Sequence, residues 1–294
     1  MSETTDFAGA IGNEITISTE KYAAILGLSP SKGARSPLLW NAAFKAARIK
    51  AEMHPLDTTE ENLEEVIAVL RDDPRFIGGA VAVPHKQTIG LHLDRVEPEA
   101  ARIGAVNAIY RDGEDLVGAN TDGAGALSQI TELVGGEAML NMRHAVLVGL
   151  GGAGVAVAAY LAGHVATLTL CNRSWDTAKQ VANTLGARPF EFPLEPEFME
   201  NVDLLINATT VGYQDGPEGS PVSNDCLDAM PSTAAVYDVI YQPEETLLLK
   251  EATKRGMNVM NGLGMNLDQA VIAFMKANPG ALGIDQVRDA MSKA

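Results

Sequence analysis

The sequence predicts a two-domain α/β protein, and three observations carry that prediction. Short apolar runs at 22–27, 51–56 and 76–83 alternate with helix-patterned stretches in the first third of the chain, which is the signature of βαβ units. The glycine-rich run Gly149-Leu150-Gly151-Gly152-Ala153-Gly154 lies between an apolar run at 145–148 and a small-residue helical stretch at 155–162, the context a dinucleotide-binding turn requires. Further strand-like runs at 165–171, 203–207 and 234–240, with helices between, then predict a Rossmann-like sheet.

Taken in order, residues 1 to about 14 are polar and aperiodic and read as a tail or an edge extension. After the strand at 22–27 comes a Ser/Pro/Gly loop at 28–35. Ser36 then suits an N-cap and Pro37 a first helical position, opening a helix through residue 47. The strand at 51–56, a helix beginning near residue 59 and the strand at 76–83 extend this into a parallel domain. Runs at 105–109 and 115–119 flank Arg111-Asp112-Gly113, predicting a hairpin at the sheet edge. Asp122 starts a helix that Gly135-Gly136 stops near 134. From 262 onward the apolar spacing is again helical, through Phe274 and after Asn278-Pro279-Gly280.

Composition bounds the function. With 294 residues, 46% hydrophobic and 20% charged, the chain can bury a core large enough for two domains. It contains no run of about eighteen apolar residues and no positive-then-apolar leader, so neither a membrane span nor a secretory signal is expected, and the expected compartment is the cytoplasm. Cys171 and Cys226 have no ligand-like spacing and the five histidines are scattered, which predicts neither a disulfide framework nor a metal site. A net charge of −16 argues against nucleic acid and anionic membrane as partners. It leaves room for a small anionic substrate, provided a local cation captures it against the overall field.

Two clusters carry the chemistry. Lys86 ends the run Gly78-Gly79-Ala80-Val81-Ala82-Val83-Pro84-His85-Lys86, and Asp122 lies in Gly118-Ala119-Asn120-Thr121-Asp122-Gly123. Oxidising a secondary alcohol needs a base for the hydroxyl proton while hydride leaves. A lysine can be that base, and an aspartate can hold its ammonium. Alone, the lysine reads more readily as a solvated helix start and the aspartate as a helix cap; together, ahead of a nucleotide-binding turn, they predict a dehydrogenase. In the glycine run, Gly149, Gly151 and Gly154 take the G-x-G-x-x-G positions, with Gly152 and Ala153 inside the first helical turn. About twenty residues on, Asn172-Arg173-Ser174 ends a strand, and Arg173 offers a guanidinium that forks onto the 2′-phosphate of NADP.

Order and spacing of these pieces resemble the shikimate/quinate dehydrogenase family from about residue 22 to 269. The resemblance implies a substrate-binding domain over 1–122, to which the helices of 263–294 return, and an NAD(P)-binding domain over 123–262. It implies Lys86 as acid/base with Asp122, and it places Asn107, in Gly104-Ala105-Val106-Asn107, and Gln269 on ring hydroxyls. Tyr241 faces the substrate, Val239 and Gly262 approach the nicotinamide, and Ser36 is the second serine of a Ser-x-Ser-Pro signature that grips a carboxylate. The implied reaction interconverts a cyclic hydroxy acid, shikimate or a close analogue, with its 3-dehydro ketone using NADP, a step of aromatic amino acid biosynthesis. Alternatives are an NAD-dependent quinate or other hydroxy-acid dehydrogenase, and a non-catalytic nucleotide-binding regulator. A homodimer stays open.

Departures from the pattern are specific. The second arginine of the family's NADP form is Thr177 here, beside Asp176, which keeps NAD open. The first serine position is Ala34, preceded by Gly33, in a loop one residue longer than usual. The motif usually written Gly-x-Asn-Val-Thr-x-Pro-x-Lys has Ala80 for its Asn and Ala82 for its Thr. Arg35 is read equally as a replacement carboxylate ligand and as a solvated loop residue, and Ser29 and Ser31 as replacement hydroxyls if the loop folds back.

Overall fold

The computed structural model describes Phe7 and residues 9–294. They form two compact units: one runs to Thr121 and resumes at Leu267–Ala294, and the other is Asp122–Asn266.

The first unit is built on strands β1 (Lys21–Gly27), β2 (Ala51–Asp57), β3 (Phe76–Val81), β4 (Arg95–Val96), β5 (Ala108–Asp112) and β6 (Asp115–Ala119), with helices α1 (Ser36–Ala47), α2 (Leu63–Asp72) and α3 (Pro98–Ile103). Strand order is β2-β1-β3-β5-β6-β4. Only part of this sheet is parallel as expected: β1 runs with β2 and β3, whereas β5 is antiparallel to both β3 and β6. The hairpin β5–β6 is present but interior, because β4, too short to show any periodicity, pairs with β6 and takes the edge. On one face, Val66, Ile67 and Leu70 of α2 pack on Tyr22, Leu26, Leu56 and Phe76.

The beginning of the chain is an edge extension. Gly12 N donates to Asp57 O at 2.7 Å, Asn13 Nδ2 to Pro55 O at 2.9 Å, and Asp57 N to Asn13 Oδ1 at 2.8 Å, all along edge strand β2. Phe7, Ala10 and Ile17 are buried in the same core as α2. Residues 1–6 and 8, the rest of the expected polar tail, lie outside the described residues.

The second unit comprises α4 (Asp122–Val134), α5 (Glu137–Leu140), β7 (His144–Val148), α6 (Gly152–Leu161), β8 (Thr167–Asn172), α7 (Trp175–Leu185), β9 (Arg188–Glu191), α8 (Pro196–Met199), β10 (Leu204–Asn207), α9 (Asn224–Ala229), β11 (Ala235–Asp238), α10 (Leu247–Lys254) and β12 (Asn258–Asn261). Its sheet, β12-β11-β10-β7-β8-β9, is parallel throughout. Strands β10 and β11 are buried at every residue, as a parallel sheet covered on both faces demands. The two strands without a sequence forecast, β9 and β12, are the edges; Pro189 is tolerated in β9 because an edge strand can spare an N–H. Strand order reverses between β7 and β10, and in open α/β sheets ligands bind at the carboxyl ends of the strands flanking such a reversal.

Helix α11 (Leu263–Ala277) carries the chain from the second unit into the first, followed by α12 (Ile284–Ser292). Phe274 packs its ring 5.3 Å from Trp40 and 5.2 Å from Phe44, both on α1, and Arg288 of α12 pairs with the buried Asp268 at 3.0 Å. Among the described residues no helix is long and apolar enough to cross a membrane, and no group of three or more His, Cys, Asp or Glu side chains could hold a metal ion.

The aromatic contact ties α11 to α1. Phe274→Ala is expected to cost about 3–5 kcal/mol, read as a shift of the urea midpoint; a loss below about 1 kcal/mol would contradict this packing.

Candidate active site

In the second unit, β7 ends at Val148 and the chain turns through Gly149 at φ 98°, a conformation that favours glycine. The turn is also crowded. A Cβ on Gly149 would lie 2.8 Å from Thr209 N, and one on Gly154 only 2.0 Å from Gly149 O. Gly151 and Gly152 meet nothing within 4 Å and, with Ala153, are exposed at the N-terminus of α6, where the first N–H groups of a helix have no intrahelical acceptor and suit phosphate. A cleft of about 330 Å³ opens here, lined by Gly149 to Gly151, Asn172, Arg173, Phe192, Thr209 and Pro221 among others.

Asn172 fixes the loop, since its Oδ1 accepts from Leu150 N at 3.2 Å and its Nδ2 donates to Ser174 O at 3.3 Å. Ser174 caps α7 by accepting from Thr177 N and from the Thr177 hydroxyl, the latter at 2.9 Å. Thr177, where a second arginine was looked for, therefore stabilises the helix start. Asp176 pairs with Lys179 at 2.9 Å on the exposed side of α7. Arg173 is exposed, lines the cleft and makes no side-chain hydrogen bond or ion pair among the described residues.

Asp238, at the end of β11, is fully buried. Its Oδ1 accepts from Asn207 Nδ2 at 2.9 Å and Ile240 N at 3.1 Å, and its Oδ2 from the Thr246 hydroxyl at 2.7 Å. Asn207 in turn accepts from Thr209 N and Oγ1, so one network holds the Thr209 loop of the cleft and the turn that follows β11. Val239 N donates to Asn207 O at 2.9 Å, and a Cβ on Gly262 would lie 1.9 Å from Val239 O; the structure thus brings Val239 and Gly262 together. Tyr241 is half-buried two residues beyond Val239, with no hydrogen-bond partner for its hydroxyl among the described residues.

In the first unit, Lys86 sits in the short 3-10 turn His85–Gln87. The turn is held from two sides: the buried His85 ring places Nε2 2.8 Å from Thr58 O, and Val106 N donates to Lys86 O at 2.7 Å. A carbonyl only accepts, so Nε2 carries the proton. The next residue, Asn107, accepts on Oδ1 from Thr121 N at 2.6 Å and points Nδ2 at Thr121 Oγ1 (3.1 Å) and Gln269 Oε1 (3.4 Å). Asn107, Thr121 and Gln269 therefore form one cluster, and Asp122 follows Thr121 directly at the start of α4. Thr121 was not singled out in the sequence; its place between Asn120 and Asp122 was the available signal.

The Shikimate dehydrogenase substrate binding domain model matches residues 27–109. The NADP(+)-dependent shikimate dehydrogenase of Exiguobacterium sibiricum is 37% identical over 253 residues, covering 85% of this chain and 90% of that one. The chain belongs to the shikimate dehydrogenase family. The corresponding enzyme of Geobacter metallireducens is 36% identical, covering 84% and 89% of the two chains. Among solved structures, shikimate 5-dehydrogenase of Thermus thermophilus, determined with NADP(H) and shikimate, aligns with a TM-score of 0.77 at 30% identity over 93% of this chain and 99% of that one.

The loop before α1 departs from the Ser-x-Ser-Pro pattern. Ser36 does not cap α1: Arg35 has helical φ and ψ (−77°, −23°) and occupies the cap position, so Ser36 is the first helical residue. Neither the Ser36 hydroxyl nor the exposed Arg35 guanidinium has a protein partner among the described residues. Ser31 cannot serve as a replacement hydroxyl, because Asp57 accepts from its N at 2.9 Å and its Oγ at 2.5 Å. Ser29 is exposed where the loop starts. Phe192 and Pro221, which line the cofactor cleft, carry no sequence signal beyond following edge strand β9 and lying in an irregular loop.

Burial pushes the Asp238 carboxyl up to about 6 against its three hydrogen bonds, which act the other way. The unfolded value is about 3.9, so the folded state binds this proton more tightly. Stability from this group is complete below about pH 4 and is lost as pH rises through about 6, by on the order of 2–3 kcal/mol. Asp238→Asn keeps the shape and every bond, since its amide can donate to Thr246. It is expected to match the parent in chemical denaturation near pH 4 and to exceed it by that amount near pH 7; parallel pH profiles would contradict the assignment.

Proposed function

We propose that this protein is an NADP-dependent dehydrogenase that interconverts shikimate, or a close ring analogue, with its 3-dehydro ketone in the cytoplasm. The observation that carries the reading is the unpaired Arg173 guanidinium on the glycine-turn cleft, in a chain whose curated relatives are NADP-dependent shikimate dehydrogenases. The residues present fit that cofactor. Gly151, Gly152 and Ala153 offer the exposed start of α6 to a pyrophosphate, Asn172, Arg173 and Ser174 stand at the end of β8 for the 2′-phosphate, and Val239 and Gly262 form the tight backbone contact proposed for the nicotinamide side. When bound, NADP supplies the hydride acceptor, or the donor in the reverse direction.

The chain's own groups handle the proton and the orientation. In oxidation, neutral Lys86 takes the proton of the reacting hydroxyl, and in reduction its ammonium returns it. Asp122 holds the ammonium. Gln269 orients the ring through its amide donor, while Asn107, whose own amide hydrogens are turned to Thr121 and Gln269, holds the Gln269 carbonyl and so positions that donor. Ser36 and Arg35 meet the carboxylate, and Tyr241 faces the substrate. An NAD-dependent enzyme is not favoured, because the end of β8 carries Arg173 and its neighbouring acid is already paired with Lys179. A non-catalytic regulator is not favoured either, since Lys86 and Asp122 are both retained.

Lys86→Ala is expected to lower kcat by roughly 10²–10⁴-fold with NADP affinity unchanged; full activity would remove the lysine from the mechanism. Arg173→Ala is expected to weaken NADP by roughly 10–100-fold, the worth of charge-assisted bonds, while leaving NAD binding as it was. Equal losses for both nucleotides would place Arg173 elsewhere than at the 2′-phosphate.

A further inference from the structure

We infer that the substrate turned over best is a cyclic hydroxy acid with fewer ring hydroxyls than shikimate, one whose ring lays a bare CH₂ edge over the ends of β1 and β3. The inference rests on the dehydrogenase reading above and concerns only its substrate class.

Hydrogen-bonding side chains of the first unit converge from one direction, through the Asn107, Thr121 and Gln269 cluster beside the Lys86 turn. The adjoining strand ends offer none. Val81 N donates to Asn107 O at 2.8 Å, and on either side of Val81 stand Ala80 and Ala82. Both, with Ala34, belong to the apolar cluster of Ile25, Leu39 and Ala108. Ala80 is flanked in register by Ile25 on β1 and Ala108 on β5, and Ala82 is so close to Gly27 that a Cβ there would sit 3.0 Å from its own.

Neighbouring hydroxyls do not refill this surface. Ser31 is bound to Asp57, and the buried Thr58 hydroxyl donates to Leu56 O at 3.2 Å. The rim continues in the same character: Leu28 N donates to Val83 O at 3.2 Å, setting side by side two residues that are 59% and 75% exposed. Charge capture is left to the side chains of Arg35 and Ser36, which have no hydrogen-bond or ion-pair partner among the described residues. A hydroxyl held against methyl groups loses its water and gains no partner, at roughly a 10–100-fold cost in binding. A CH₂ at the same place gains contact instead.

The test is kcat/KM with NADP for shikimate and for its 4-deoxy, 5-deoxy and 4,5-dideoxy analogues, in the parent, in Ala80→Asn/Ala82→Thr and in the milder Ala82→Ser. The inference expects at least one deoxy analogue to exceed shikimate in the parent, on the order of tenfold. It also expects whichever variant folds to shift the ratio back toward shikimate. Shikimate exceeding all three analogues in the parent, or an unchanged ratio in a folded variant, would overturn it while leaving the dehydrogenase reading intact. No NADP reduction with any of the four, in protein that still binds NADP, would overturn that reading and this inference with it.

Discussion

A buried carboxylate without a cation organises the second unit. Asp238 is fully enclosed and has only neutral donors, an amide, a backbone N–H and a hydroxyl. Those three donors come from the end of β10, the turn after β11 and the start of α10, so satisfying one acid fixes three loops. Through Asn207 the same network reaches Thr209, against whose backbone Gly149 packs too tightly for any side chain. The shape of the cofactor cleft therefore depends on a polar group whose burial opposes its own ionisation. Such a network is stabilising only while every member is satisfied.

The first unit solves the corresponding problem with packing. The turn that carries Lys86 is held by one buried imidazole bond to Thr58 and one backbone bond from Val106, and the sheet is covered by α1, α11 and α12 through apolar contacts. Polar groups are concentrated at Asn107, Thr121 and Gln269 and withheld from the ends of β1 and β3.

What was legible in the sequence follows the same division. The glycine turn and the parallel sheet after it could be read, because close packing demands glycine at positions such as 149 and 154 and because apolar periodicity reports buried faces; the return of the C-terminal helices was implied only by the family resemblance. The mixed pairing of the first sheet was not legible: β4 is two residues long, and no local pattern says that β5 runs against β3. Ser36 looked like a cap because Ser-Pro suits one, yet the helix begins a residue earlier in φ and ψ, a shift that tertiary packing decides. Ser31 looked available until Asp57, distant in sequence, claimed it. Arg173 could be named from its place after a strand, but that its guanidinium has no hydrogen-bond or ion-pair partner among the described residues is a three-dimensional fact.

Initial rates of shikimate oxidation with NADP and with NAD, measured side by side on the purified protein, test the central claim most directly. The account predicts hydroxy-acid-dependent reduction of the nucleotide that is more efficient with NADP than with NAD. Reduction that favours NAD, or NADP binding with no reduction in the presence of shikimate or its ring analogues, would contradict it.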